Sequence, residues 1–125
     1  MGLLAYDVAT RGMEDSFSEF YVLGPLGTAG GYPKVVRAGR EAGVLAGVVN
    51  HEGRPVSYRI QVQVDGAPTG EAVRFTLADG ERWEGDLGFT APRPCERCKV
   101  ELLLYEDLRA TPILEPLRIW VTVVE

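Results

Sequence analysis

Three groups of residues in this 125-residue chain are of types that do chemistry. The first is Cys95-Glu96-Arg97-Cys98. Two thiols three positions apart suit a redox pair, half of a tetrahedral zinc site, or a simple loop-closing disulfide. A redox pair wants its leading cysteine at a helix N-terminus, where the thiol pKa falls. Here Pro94 precedes the pair and a strand-like run follows it. Zinc wants four ligands, and the chain has one such pair and a single histidine. A zinc half-site would therefore have to be completed by a second copy across a two-fold axis. A disulfide, or two free thiols at a turn, asks for nothing more. Apart from that zinc, no cofactor is expected.

The second group is Asn50-His51-Glu52. His51 is the only histidine, so any imidazole chemistry passes through it. Loop residues carried on a rigid sheet are where binding concentrates, which makes these three candidate binding residues. The run Asn-His-Glu-Gly-Arg-Pro is also good turn sequence: Asn caps, Gly53 permits positive φ, and Pro55 restarts an edge. Ser57 lies too close on the following strand to act as a nucleophile with His51. No nucleophile elbow occurs, so no catalytic residue is assigned and a non-enzyme is expected. The third group is acidic. Glu81, Glu84 and Asp86 offer oxygens for calcium, but without the spacing of a calcium loop they read as a solvated sheet face. Tyr21, Tyr32, Tyr58 and Tyr105 have ring faces suited to sugars, yet tyrosine is equally at home on sheets. The Gly24–Gly31 stretch lacks the Gly-Lys-Ser/Thr ending of a phosphate cradle.

The elements that must position these residues are strands. From Val56 to Val64 apolar and polar residues alternate, placing Val56, Tyr58, Ile60, Val62 and Val64 on one face. Period two of this kind marks a half-buried antiparallel strand. The same reading gives strands at 19–23, 43–50, 73–77, 82–89, 99–105 and 117–124, with a short edge strand near 34–37 and one short turn near 106–110. Both cysteines then fall in a loop, and Trp83 and Trp120 fall in the core. Seven or eight short strands with Gly/Pro-rich turns predict an all-β, immunoglobulin-like Greek-key sandwich.

Composition bounds the partners. The net charge of −5 arises in the second half, and the eleven arginines are dispersed. Without a basic stripe, nucleic acid is not an expected partner. No apolar run approaches the roughly 20 residues of a spanning helix. Exposed sheet edges make a homodimer reasonable.

Several blocks resemble a known family in the order they occur. They are Phe17–Pro25 with Ala29–Pro33, Gly47–Glu52 with Val56–Tyr58, Gly80–Glu84, Lys99–Tyr105 and Leu117–Val121. The chain resembles domain-of-unknown-function family 1616, prokaryotic and largely archaeal membrane proteins in which transmembrane helices precede a soluble β domain. The resemblance spans most of residues 5–124. It implies that residues 17–125 form the β domain on the extracytoplasmic face of the cell membrane. Residues 1–16 would be a lead-in, with Leu3-Leu4-Ala5-Tyr6 the trailing end of a helix. Protein or glycan of the cell envelope is then the expected partner class. The family brings no enzymatic residues to carry over. Cys95 and Cys98 depart from its pattern, and an oxidising setting favours a disulfide there over zinc.

Overall fold

The computed structural model describes residues 16–23 and 35–125. Most of the lead-in, the Gly24–Gly31 stretch and Tyr32 lie outside them. Eight strands occur among the described residues: β1 (Phe17–Leu23), β2 (Val35–Arg37), β3 (Glu41–His51), β4 (Val56–Val64), β5 (Ala67–Leu77), β6 (Arg82–Thr90), β7 (Cys95–Glu106) and β8 (Leu117–Val124). They form a three-stranded sheet, β1-β3-β6, and a five-stranded sheet, β2-β8-β7-β4-β5. All pairings are antiparallel except β2 with β8. The chain changes sheet at every step except β4 to β5 and β7 to β8. These crossovers bring β6 back beside β3 and β7 beside β4. That is the Greek-key connectivity of an immunoglobulin-like sandwich. Among the described residues no helix is long and apolar enough to cross a membrane.

Strand parity builds the core. The five apolar residues of β4 all point inward and are buried, as the alternation predicts. They meet Val44, Ala46 and Val48 of β3, Leu87 and Phe89 of β6, and Val100, Leu102 and Leu104 of β7. Removing each valine, leucine, isoleucine or phenylalanine side chain among them from water stabilises the fold by about 1.5–3 kcal/mol.

Three features differ from the sequence expectation. β5 starts at Ala67 rather than near 73, because Asp65 (φ 49°) and Gly66 (φ 87°) close a two-residue hairpin. Positive φ at both central residues is what the right-handed strand twist needs there. β7 starts at Cys95, so the cysteines lie within a strand and not in a loop. A turn at Asp107, with Arg109 N–H donating to Glu106 O, stands at the expected turn near 106–110 without becoming a helix. Trp120 is 45% exposed, not core. Ile119, Val121 and Val123 take the inward positions of β8, and parity sends Trp120 outward.

Candidate functional site

Asn50, His51 and Glu52 stand at one end of the sandwich, where β3 turns into β4. Asn50 is 0% exposed and its polar groups are engaged internally. Its Nδ2 donates to Arg54 O (2.8 Å) and Leu77 O (2.9 Å), and its Oδ1 accepts from Glu52 N–H (2.7 Å). Its backbone N–H donates to Glu81 O, and its carbonyl accepts from Gly80 N–H. Gly53 N–H adds a bond to Asp79 Oδ1. One buried amide thus ties the β3–β4 turn to the β5–β6 turn. Asn50 positions its neighbours, and the surface of this turn is made by His51, Glu52 and Arg54.

The two neighbours face opposite ways. His51 pairs across the ladder with Phe17, and their rings stack at 4.7 Å. Its Nε2 lies 3.2 Å from Glu19 Oε1 on the outer face of the three-stranded sheet. Glu52 instead accepts a 2.7 Å bond from Ser18 Oγ, which lies 2.7 Å from the buried Tyr58 hydroxyl. Burial, above all, pushes the Tyr58 phenol above its usual pKa. Ser18 and Glu19 are adjacent on β1, so strand alternation sends the hydroxyl inward and the carboxylate outward. The serine and the imidazole therefore lie on opposite faces. Sequence reasoning missed Ser18 and Tyr58 as partners because the bond spans forty positions.

Cys95 and Cys98 lie at the opposite end. Eight residues of β4 separate the two ends, about 27 Å at strand rise. The cysteines are joined as a disulfide with Cα atoms 5.9 Å apart. Cys95 pairs with Val123 and Cys98 with Val121, and the register shifts between them. In a regular strand, positions three apart face opposite ways. A one-residue bulge restores common facing, and both cysteines oppose inward valines. Thr122 Oγ1 donates to Glu96 O across this bulge. Asp65, from the β4–β5 hairpin, joins them: the three candidate ligand atoms lie within 4.8 Å of one another. Lys99 N–H donates to Asp65 Oδ1 (2.9 Å), and Asp65 N–H donates to Lys99 O (2.7 Å). Asp65 was invisible as a partner in sequence, thirty positions from Cys95. Glu81, Glu84 and Asp86 are not brought together in this way: Glu81 Oε1 accepts from Ala78 N–H, and Glu84 accepts from Tyr21.

Two further surfaces complete the inventory. On the three-stranded sheet, the Tyr21 ring lies across Gly47, where a Cβ would overlap it. Its hydroxyl donates to Glu84 Oε2 and accepts from Arg82, each at 2.6 Å. Burial and the Glu84 carboxylate push the Tyr21 pKa up to about 12. On the five-stranded sheet, guanidinium groups cover outward aromatic rings: Arg97 lies 4.9 Å from Trp120, and Arg59 lies 4.0 Å from Tyr105. Between them Arg118 Nε donates to Glu101 (3.0 Å). Of the four tyrosines considered for sugar stacking, Tyr58 is buried in the core and Tyr105 faces outward.

Known structures share this architecture. The CARDB domain of the PF1109 protein from Pyrococcus furiosus, crystallised in complex with di-metal ions, is 18% identical, with a TM-score of 0.61 over 87% of this chain and 89% of that one. The solution structure of the same domain gives 19% identity and a TM-score of 0.62 over 90% and 98%. A β-glucosidase from Listeria innocua, in complex with glucose, matches at 15% identity and a TM-score of 0.57 over 93% of this chain and 17% of that one. At these identities the likeness is one of fold, and it is the immunoglobulin-like sandwich. Among curated proteins, none matches the sequence. The blocks noted in the sequence do find their counterpart, since the family model described as "Domain of unknown function (DUF1616)" matches residues 12–122, and the chain belongs to that family.

Proposed function

We propose that this chain is a non-catalytic, extracytoplasmic domain of a membrane protein that binds protein or glycan of the cell envelope through the outer face of its five-stranded sheet. The observation that carries this reading is Trp120, a large aromatic 45% exposed on rigid sheet, with Arg97 over it and the Arg118–Glu101 pair beside it. Tryptophan, tyrosine and arginine presented together are the side chains that dominate binding energy at recognition surfaces. The opposed facing of Ser18 and His51 supports a non-catalytic role. The Cys95–Cys98 disulfide supports the location, since such bonds persist in oxidising compartments. His51 and Glu52, both half-buried, form a second surface at the far end.

The test uses the purified domain as wild type, Trp120→Ala and His51→Ala, titrated with isolated envelope fractions and with glycans released from them. Binding should weaken at least tenfold in Trp120→Ala, a loss of about 1.4 kcal/mol or more, and stay nearly unchanged in His51→Ala. Undetectable binding by wild type, or equal binding by all three, refutes the reading. Protease accessibility of the full-length protein on intact cells tests the location separately.

A further inference from the structure

We infer that the β7 bulge is a redox-gated site for a thiophilic divalent cation, held by the thiolates of Cys95 and Cys98 and the carboxylate of Asp65. The inference stands apart from the proposed interaction surface and needs no envelope partner.

Three observations converge. First, the bulge defeats strand parity and turns both cysteines to one side. Second, the hairpin fixes Asp65 beside them. Its positive φ and its paired bonds to Lys99, the residue after Cys98, hold the carboxylate in place. A carboxylate accepting one such bond still has its second oxygen and further lone pairs for a ligand. Third, the three ligand atoms lie within 4.8 Å of one another. Ligands of a tetrahedral ion with metal–sulfur distances of about 2.3 Å sit about 3.8 Å apart, so small side-chain rotations suffice. A cleft of about 370 Å³, lined by Ala67, Ala91, Pro92, Arg93 and Pro94, opens onto the cysteines and admits water as a fourth ligand. The third ligand thus comes from the same chain, so the site does not require a second copy.

The disulfide and the metal exclude each other. A dithiol reductant passes two electrons to the Cys95–Cys98 bond, which breaks as the reductant forms its own disulfide, leaving two protein thiols. The cation then displaces one proton from each thiol as two metal–sulfur bonds form. Two thiolates and a carboxylate leave the loaded site with one net negative charge, beside Arg93, which lines the cleft.

Cadmium is the probe, because its thiolate charge-transfer absorption reports sulfur ligation directly. The reduced protein should bind one cadmium per chain, develop that band and release two protons per metal. The oxidised protein should bind none. Asp65→Asn keeps the side-chain acceptor for Lys99 N–H and tolerates positive φ, so it leaves the hairpin intact. It should weaken binding by at least about tenfold, and Cys95→Ser should abolish the band. The inference is overturned if reduced protein fails to bind, if oxidised protein binds equally, or if Asp65→Asn binds like wild type. It is also overturned if one cadmium is shared by two chains, or if circular dichroism shows that reduced protein has lost its sheet.

Discussion

Replacing Asn50 by alanine removes the amide that joins two turns. Three hydrogen bonds go with it, to Arg54 O, Leu77 O and from Glu52 N–H. Each bond contributes about 0.5–1.5 kcal/mol net, so the three together contribute about 3 kcal/mol. The losses are unequal. The Leu77 carbonyl is bonded in a buried setting and would be left without a partner, whereas the other two groups are only partly buried and can recruit water. A loss of about 3 kcal/mol is therefore expected for Asn50→Ala. With an unfolding entropy of about 2.1 cal/mol/K per residue, that lowers the melting temperature by about 11 °C. Urea denaturation followed by tryptophan fluorescence measures it, using Trp83, which packs against the core. The slope should stay unchanged, since the core is untouched. Asn50→Asp sharpens the test. It keeps the shape but presents a carboxylate to two carbonyl oxygens and loses both donors. Burial raises the folded pKa of that aspartate above its unfolded value of about 3.9. Its neutral form is favoured in the fold, so the variant loses stability as pH rises from about 4 through the raised value, and at neutral pH it should be less stable than Asn50→Ala. The reasoning fails if Asn50→Ala costs less than about 1 kcal/mol, or if Asn50→Asp matches wild type at neutral pH.

Four further outcomes are expected. Gly47→Ala must push the Tyr21 ring off the sheet, at about 1–3 kcal/mol, and the ultraviolet titration of that phenol should fall from about 12 towards 10.0. In the wild type the raised Tyr21 pKa leaves stability intact below pH 10 and lowers it as pH climbs from 10 to about 12, where only the unfolded chain ionises; denaturation curves across that window give the sign. Tyr58→Phe deletes the buried bond to Ser18 and should cost about 1 kcal/mol by chemical denaturation. The Cys95→Ser/Cys98→Ser double variant opens a very short loop, so it should cost no more than about 2 kcal/mol and still fold.

The fold was legible because period two is unambiguous where polar residues alternate with apolar ones. Val56–Val64 announced its inward face, and so did Val73, Phe75 and Leu77 of β5 and Trp83, Leu87 and Phe89 of β6. β8 reads Leu-Arg-Ile-Trp-Val-Thr-Val-Val, and Arg118 and Thr122, two positions either side of Trp120, mark its face as outward; only the size and apolarity of the indole pointed to the core. The block Asn50-His51-Glu52 was legible as distinctive, but not in what distinguishes it. A buried amide serving two turns looks, in sequence, the same as an exposed amide serving a ligand, and only the partners Leu77 and Gly80 separate the two.

The same parity argument links what was missed at the cysteines to what they can do. Read as a loop, Cys95-Glu96-Arg97-Cys98 had no fixed facing and no neighbours beyond its own sequence. Placed in β7, it would point its thiols to opposite faces and make no pair at all unless an extra residue intervened. The bulge supplies that residue opposite Thr122, and in doing so turns both sulfurs toward the hairpin that carries Asp65. Bulges recur where a side chain must be re-aimed. Here the irregularity lies at the start of β7, beyond the end of the β4 pairing at Val100, so it disturbs the ladder with β8 alone. Deleting Glu96 tests whether the irregularity exists for the cysteines. The deletion restores regular pairing with β8 and leaves the two cysteines two positions apart on one face, about 6.6 Å along a regular strand. The shortened chain should therefore fold with a continuous β7, while the cysteine Cβ atoms lie too far apart to close a disulfide. A shortened chain that still forms the disulfide would show that the bulge is incidental to the pair.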